Sequence, residues 1–401
     1  MNSKQLLLLV LAAAVLGGGG LAVLRRRQAD YNASSTLMGG RLLGEFDLNA
    51  VAGLRITQGS NSVHVAKAGD ALVVRERGDY PANFGEFAEL VRKVGDLKVA
   101  QPVKVGASRL PLLELTAESG TRVELLDKDG KAIQSLLLGK KHLKGEDSGG
   151  SPFGGGGFPD GRYVQVGSGV DRLALVADPL ANANPKPEDW IDKAFVKVEQ
   201  PVDILVKGLT ASNSFHLTRT NEFADWVLAD AAAGEQLDKN KLWAFGNLLS
   251  SASFNDVILK PEAAQLGLEQ PATAAIRTAA GFLYTLRIGK PDGENYPVQV
   301  AVSATLRRER EPAKDEKPED KEKADKEFRE KLARQEEKLK QEQALGKWTF
   351  TLSKWTLEAL LKNRTELLAD QKDAGKDDGK DDAPGDSPAE IKLPDSGAFP
   401  K

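Results

Sequence analysis

Two stretches of the chain, residues 51–99 and residues 202–258, carry the same pattern of apolar and polar positions. Each stretch contains three short, apolar-rich runs that resemble β-strands, and alternation of apolar and polar positions dominates, as expected for half-buried strands. In both stretches the second run is centred on a histidine, His64 in the first and His216 in the second. This repeat predicts two similar tandem modules rather than one large enzyme with a single cleft.

Each stretch also contains a segment in which apolar residues recur at helical spacing. In the first, a predicted helix from Phe84 to Val94 gathers its apolar side chains on one face: Phe84, Phe87, Leu90, Val91 and Val94. Such a face would cover the apolar side of a sheet. The corresponding helix of the second stretch is predicted from Leu237 to Leu249.

Further alternating runs downstream predict antiparallel strands joined by short turns. In the first module these runs are Leu113–Thr116, Arg122–Leu126, a strand ending Leu138-Gly139-Lys140 and Tyr163–Val166. In the second they are Ala274–Thr278, Phe282–Ile288 followed by Gly289-Lys290, and Tyr296–Val300. The predicted fold class is therefore α+β, with two tandem duplicated modules that each consist of a mainly antiparallel sheet and a packed helix.

The predicted domain organisation has five parts. These are an anchor with flanking charges (1–27), a linker (28–45), the first module (46–200), the second module (201–368) and an acidic tail (369–401) that is expected to be disordered. The first module carries a glycine-rich insertion at 144–161, and the second a charged insertion at 307–347. Within the charged insertion, the Glu and Lys spacing from about Asp320 to Leu345 predicts a solvated helix.

Residues 6–24 form an uninterrupted apolar run between Lys4 and three arginines, Arg25 to Arg27. As a helix rising about 1.5 Å per residue, this run would span roughly 28 Å, close to the thickness of the hydrocarbon core of a bilayer. A cleaved signal peptide has a shorter apolar core and a small-x-small cleavage site. An uncleaved transmembrane anchor is therefore predicted, with cleavage near the glycines at 17–20 as the alternative.

Composition and net charge exclude several kinds of site and partner. The 401 residues include no cysteine, which excludes disulfides, thiolate metal sites, a cysteine nucleophile and a lipidated cysteine. The formal net charge of −3 supplies no overall basic field, so no nucleic-acid partner is expected.

The sequence motifs that usually accompany catalysis or metal binding give little support for an enzyme. The histidines His64, His142 and His216 lack the spaced companion ligands of a metal site, and His64 and His216 fit positions on the polar face of a sheet. The glycine run at 154–157 is interpreted as a loop rather than a nucleotide site, and Gly167-Ser168-Gly169 does not fit a nucleophile elbow. We therefore predict no enzyme activity, no catalytic, cofactor-binding or metal residues, and no cofactor.

Five tryptophans are spread over both predicted modules: Trp190, Trp226, Trp243, Trp348 and Trp355. Large aromatic side chains usually supply core packing, so all five are predicted to pack in the core or between the modules. The alternative is that they anchor a partner surface.

Several short phrases occur in an order that resembles the bacterial family called domain of unknown function 4340. They are the Leu-Gly-Lys and Ile-Gly-Lys strand ends at Gly139 and Gly289, Gly161 to Val164, Asp189 to Lys193, and Gly267 to Pro271. The resemblance covers roughly residues 45–368, apart from the two insertions. Members of that family are typically membrane-anchored and encoded beside ABC-type transport systems similar to those of gliding motility.

The resemblance implies a membrane-anchored, non-catalytic binding or scaffolding component of an ABC-type envelope transport system. It would be a single-pass protein of the bacterial cytoplasmic membrane, in contact with the bilayer through residues 6–24 and with permease or auxiliary subunits of the transporter. The resemblance places the modules outside the cytoplasm, whereas the three arginines after the anchor favour the cytosolic side. The alternatives are a stand-alone structural or polysaccharide-binding envelope protein and a hydrolase with a site between the modules; the oligomeric state is left open.

Overall fold

The computed structural model of the protein describes residues 38–143, 159–167, 172–259, 264–312 and 317–369. Within these ranges the chain forms two antiparallel sheets with few helices, an α+β fold. No helix in these ranges is both long enough and apolar enough to cross a membrane. The predicted anchor at 6–24, the glycine run at 154–157 and the tail beyond residue 369 lie outside the described residues.

The first sheet is built from strands that lie between residues 53 and 176. In chain order they are β1 (Gly53–Gln58), β2 (Asn61–Ala68), β3 (Ala71–Val74), β4 (Tyr80–Pro81), β5 (Val99–Pro102), β6 (Thr121–Leu126), β7 (Ala132–Leu143), β8 (Pro159–Val166) and β9 (Leu173–Val176). They lie side by side in the order β4-β3-β2-β1-β6-β7-β8-β9-β5.

The second sheet is built from strands between residues 201 and 353. In chain order they are β10 (Pro201–Lys207), β11 (Phe215–Thr218), β12 (Val227–Leu228), β13 (Asp256–Ile258), β14 (Ala272–Thr278), β15 (Phe282–Ile288), β16 (Asn295–Ala304) and β17 (Thr349–Ser353). Their spatial order is β12-β11-β10-β14-β15-β16-β17-β13. Apart from the short edge strand β4, the two sheets therefore have the same strand order.

The equivalence extends to single residues. Leu138 in β7 pairs with Val164 in β8, and Ile288 in β15 pairs with Val298 in β16. The next residue in each case is a glycine that lies directly against a backbone carbonyl. A Cβ atom added to Gly139 would lie 2.2 Å from the oxygen of Leu113, and one added to Gly289 would lie 2.2 Å from the oxygen of Leu266. Both positions require glycine for the same steric reason, although β7 continues beyond Gly139 whereas β15 ends just before Gly289.

The helices lie outside the sheets. In chain order the α-helices of the described ranges are α1 (Phe84–Gly95), α2 (Trp243–Gly246), α3 (Pro318–Ala344) and α4 (Lys354–Leu357). Helix α1 begins after Asn83, whose side chain accepts hydrogen bonds from the backbone of Gly85 and Glu86. Of its predicted apolar face, Phe87, Leu90, Val91 and Val94 are buried. Phe84 is 68% exposed, because it lies in the first turn beyond the edge of the core.

The predicted helix from Leu237 to Leu249 is wrong. Leu237 forms a β-bridge with Leu368, a 3₁₀ turn follows at Lys239–Lys241, and the α-helical part is limited to α2. Gly246 and Asn247 end this helix, and Leu249 takes a positive φ of 54°. The apolar spacing correctly predicted that this segment packs against the core, but turns divide it into short pieces instead of one helix.

The predicted strand Leu113–Thr116 is also wrong. Ala107–Leu113 forms a 3₁₀ helix that contains Pro111, and Glu114 follows with a left-handed φ of 55°. A proline donates no backbone hydrogen bond, so this segment is poorly suited to a strand ladder. In the second module the corresponding position, before buried Leu268, is Gly267, which has φ 68°.

The charged insertion forms the predicted helix, from Pro318 to Ala344. Pro318 occupies the first turn, where its missing N–H costs no helical hydrogen bond. One stripe of partly or fully buried residues runs along the helix: Asp325, Phe328, Leu332, Gln335, Leu339 and Glu342. The stripe ends at Glu342, whose carboxylate accepts hydrogen bonds from the Lys197 backbone N–H at 2.8 Å and the Tyr284 hydroxyl at 3.0 Å. The helix is therefore docked on the second module.

The two modules meet in a seam of aromatic rings. The ring of Tyr80, at the end of the first sheet, lies 5.0 Å from that of Trp348 and 5.6 Å from that of Phe254. Beside the rings, the Arg77 guanidinium donates to both carboxylate oxygens of Asp256, at 2.6 and 2.7 Å. Buried residues of both sheets belong to one continuous core. The modules are therefore packed together rather than joined by a loose linker.

Candidate functional site: a groove between two exposed tryptophans

The most conspicuous exposed surface lies on the second module, between helices α2 and α4. Trp243 begins α2 and is 76% exposed, and Trp355 lies in α4 and is 83% exposed. The two indoles border an open groove of about 410 Å³, which we call the tryptophan groove. Leu248 and Ala359 contribute to its floor.

Local structure explains why these indoles face solvent. On either side of Trp243, Leu242 and Phe245 are buried and turn the short helix α2 so that the indole points outward. On the other wall, the Ser353 hydroxyl accepts a hydrogen bond from the backbone of Thr356, which fixes the start of α4. Burial of Leu357 then leaves Trp355 on the outer side. Both tryptophans are therefore held by ordered backbone.

The polar side chains of the groove retain hydrogen-bonding capacity. Asn247, Ser251 and Glu358 line the groove, and their side chains form no hydrogen bond to other residues in the described part of the chain. Lys362 adds a positive charge to the same rim. A ligand in the groove would meet flat aromatic faces together with available donors and acceptors.

A smaller hollow of about 220 Å³ continues from the far side of Trp243. There the Arg219 guanidinium lies 4.4 Å from the centre of the Trp226 ring and donates to the carbonyls of Pro201 and Glu222. Burial lowers the pKa of Arg219 from its ordinary value, although its neighbourhood with Glu222 opposes this effect. The Arg219 guanidinium stacked on the Trp226 ring therefore continues the flat binding surface on the side of Trp243 that is away from Trp355.

The structure separates the three histidines. His64 and His216 lie at equivalent positions of β2 and β11, with buried neighbours on the opposite face, as expected for the polar side of a sheet. Burial and the nearby Arg55 lower the pKa of His64 from its ordinary value. His142 contacts Asp160 at 2.7 Å and His216 contacts Asp203 at 3.2 Å. In the described residues no group of three or more histidine and acidic side chains could hold a metal ion.

Other sequence candidates fall partly or wholly outside the described ranges. Ser168 and Gly169 of the failed nucleophile-elbow match are among them, as is the glycine run at 154–157. The predicted hydrolase position between the modules does lie within the described residues. Rings of Tyr80, Phe195 and Phe350, together with the Arg77–Asp256 ion pair, occupy it.

The prediction that all five tryptophans are packed is wrong for two of them. Trp190 is fully buried, Trp348 packs in the seam, and Trp226 is half-buried under Arg219. Trp243 and Trp355 are the exceptions. Sequence offered one signal for this exposure, since Trp355 is followed by Thr356 and preceded by Lys354 in a short polar turn after a strand.

Architecture and surface together define a two-sheet α+β protein with an open aromatic groove. Residues 73–271 match the family model described as domain of unknown function (DUF4340), which confirms the resemblance to that family over this stretch. The match runs from β3 to the residue before β14 and so includes parts of both modules. No curated protein and no solved structure matches the chain.

Proposed function

We propose that the protein is a non-catalytic binding or scaffolding component of an ABC-type envelope transport system. In this proposal residues 6–24 anchor it in the bacterial cytoplasmic membrane, and its modules lie outside the cytoplasm. The tryptophan groove is the docking surface for a permease or auxiliary subunit. The transporter association comes from the family resemblance, and the site comes from the surface chemistry described above.

The exposure of Trp243 and Trp355 is the observation that carries the proposal. Tryptophan and arginine are enriched among the residues that dominate binding energy at protein interfaces. An indole buries about 150–250 Å² when covered, at roughly 25 cal/mol per Å² of apolar surface. Two indoles could therefore supply several kcal/mol of gross binding energy, from which the cost of association is subtracted.

Charges of both signs surround this aromatic centre. Glu358 and Lys362 lie on the side of Trp355, and an ion pair between Asp225 and Lys239 lies beyond Trp243. An apolar centre with a mixed polar rim is the usual anatomy of a protein interface. We therefore favour a polypeptide surface as the occupant.

A membrane anchor would add to the affinity of the groove. Confinement beside a transporter raises the effective concentration of one protein around the other. The continuous core across the seam would hold the groove at a fixed orientation relative to the first module. A docking surface that is already held at a fixed orientation loses little conformational entropy when a partner binds.

Site-specific photocrosslinking tests the proposal. A photoreactive amino acid replaces Trp355 in one variant of the full-length protein and the exposed Phe84 of the first module in a matched control variant. We expect crosslinks from position 355 to a permease or auxiliary subunit in native membranes, and none from position 84. Crosslinks from both positions with the same pattern, or from 355 to no transporter subunit, would contradict the proposal.

A polysaccharide ligand is the second candidate. Its supporting observation is the combination of open indole faces with Asn247, Ser251 and Glu358, whose side chains have no hydrogen-bond partner among the described residues. Sugar rings stack on indoles, and their hydroxyls need hydrogen-bond partners. This candidate predicts that purified cell-wall glycan quenches or shifts the tryptophan fluorescence of wild type but not of Trp243→Ser/Trp355→Ser. It also predicts no crosslinked transporter subunit at position 355.

A further inference from the structure

A second concave site lies elsewhere on the second module, where β15 ends and β14 and β16 begin. We call it the crevice; its volume is about 430 Å³, within the roughly 300–1,000 Å³ typical of small-molecule sites. Its walls are mainly apolar and are formed by Val206, Ala272, Ile288, Leu360 and Leu361. Three of these residues, Val206, Ile288 and Leu360, belong to the buried core, so the crevice reaches below the surface.

The first module has an arginine, Arg162, at the position where the second module has Tyr296, a residue that lines the crevice. Arg162 lies two residues before Val164, as Tyr296 lies two residues before Val298, and these two valines occupy equivalent pairings in their sheets. Arg162 is only 8% exposed. Its guanidinium donates to the carbonyl oxygen of Gly139 at 2.8 Å and approaches that of Leu180 at 3.5 Å. In the first module a side chain of the protein therefore fills this space.

A second difference accompanies the first. The Arg162 guanidinium also donates to the Thr121 hydroxyl at 3.4 Å. Thr121 pairs with Leu138 as Ala272 pairs with Ile288, so alanine stands in the second module where the first has the acceptor. The second module therefore lacks both the Arg162 side chain, which we call the plug, and one of the hydrogen-bond acceptors of that side chain. The crevice is the space that results in the second module.

The rim of the crevice has a distinct charge. Among the described residues that line it, Lys290 carries the only charge, and it is exposed. Leu209, which is also exposed, extends the apolar wall outward. An apolar interior with one ammonium group at its mouth is complementary to a hydrocarbon chain with an anionic head.

We propose that the crevice binds a free long-chain carboxylate. The hydrocarbon chain lies against Val206, Ile288 and Leu361, and the carboxylate pairs with the Lys290 ammonium at the mouth. Each buried methylene group then raises affinity roughly four-fold. The ion pair, being exposed, contributes up to roughly five-fold. This site is separate from the tryptophan groove and does not depend on the function proposed for it.

Photolabelling of the full-length protein in phosphatidylcholine vesicles tests the proposal. The probe is dodecanoic acid with a diazirine on its chain, and labelled peptides are identified by mass spectrometry. We expect label in peptides that contain Leu209 or Leu361. Tyr296→Arg, which copies the plug of the first module, should remove this label, whereas Tyr296→Phe should retain it. If Tyr296→Arg does not fold, Ala272→Leu fills the same space and should have the same effect.

The charge is tested separately. Lys290→Met should lower labelling by the acid roughly five-fold, while the corresponding diazirine alcohol should label wild type and Lys290→Met equally. Label outside the crevice peptides, or label unchanged in a folded Tyr296→Arg or Ala272→Leu variant, would overturn the proposal. Labelling of the crevice by a diazirine phospholipid but not by the free acid would overturn it as well.

Discussion

The segments that pack against Gly139 and Gly289 have the same backbone turn in the two modules but use different residues to form it. In both, a left-handed residue turns the chain towards a buried leucine, Glu114 before Leu115 and Gly267 before Leu268. A left-handed backbone costs a residue with a Cβ about 1–2 kcal/mol, whereas glycine adopts it freely. At this position the first module therefore contains backbone strain that the second lacks.

Replacing Glu114 with glycine should stabilise the protein. Release of the left-handed strain outweighs the extra flexibility of glycine in the unfolded chain, so the free energy of unfolding should rise by about 0.5–1 kcal/mol. Urea denaturation of wild type and Glu114→Gly measures this change. Glu114→Ala is the control, since it removes the carboxylate near Arg162 but keeps the strain. Equal gains in both variants would show that charge rather than backbone geometry is responsible.

Several residue positions could be predicted from the sequence. Alternation placed His64 and His216 on the polar face of their strands, and the structure has them there. The polar neighbours Lys354 and Thr356 were the one signal for the exposure of Trp355, and that of Trp243 could not be predicted, because aromatic content alone does not reveal which face of a short turn is covered. Likewise, the equivalence of Arg162 and Tyr296 depends on strand register, which only the pairing of β8 and β16 reveals.

At the scale of elements, helix α3 depends on a buried acid. Glu342 is only 7% exposed, and burial raises the pKa of its carboxyl above the ordinary value of 4.5. The Lys197 N–H, the nearby Lys338 and the Tyr284 hydroxyl oppose this rise. Lys338 also donates to Glu199 and to the Lys197 carbonyl. The end of the helix is therefore fixed by a small polar cluster at the start of the second module.

The raised pKa of Glu342 predicts how stability depends on pH. The folded protein keeps the Glu342 proton to higher pH than the unfolded chain does, so its stability contribution is complete below about 4.5 and falls as pH rises through the folded pKa. Glu342→Gln cannot ionise and should not show this decline. Urea midpoints from pH about 4 to about 8 measure the difference. If the difference in urea midpoint between wild type and Glu342→Gln is constant across this range, burial does not raise the pKa of Glu342.

Elements with a clear period were predictable, and those governed by local turns were not. Both the charged helix α3 and the strand pairs β14–β15 and β15–β16 agree with the sequence. The helix expected from Leu237 to Leu249 was lost to a 3₁₀ turn and a glycine, and the strand expected at Leu113–Thr116 to Pro111 and left-handed Glu114. Each wrong prediction comes from the backbone dihedral angles of a few residues, and the spacing of apolar residues carries no information about these angles.

At the scale of the whole molecule, the shared core predicts one cooperative unit. Tyr80 of the first sheet packs on Phe254, Trp348 and Phe350 of the second module, and no flexible linker separates the cores within the described ranges. Thermal unfolding of wild type followed by circular dichroism and by tryptophan fluorescence should therefore give coincident transitions.

Tyr80→Ala should cost about 3–5 kcal/mol and separate the two transitions, because truncating a buried ring leaves a cavity in the seam. Tyr80→Phe keeps the ring and should cost less than about 1 kcal/mol. Separate transitions already present in wild type would mean that the modules fold independently and that the seam contributes little to stability.

Affinity capture of the detergent-solubilised full-length protein tests most directly whether it works by holding a transporter subunit in the tryptophan groove. Wild type and Trp243→Ser/Trp355→Ser are compared, with Phe84→Ser on the first module as the matched control for loss of an exposed aromatic residue. We expect wild type and Phe84→Ser to capture permease or auxiliary subunits of an ABC transporter, and the double variant to lose them while retaining its thermal stability. Repeated capture by wild type without any transporter subunit, or equal capture by the double variant, would contradict the proposed function.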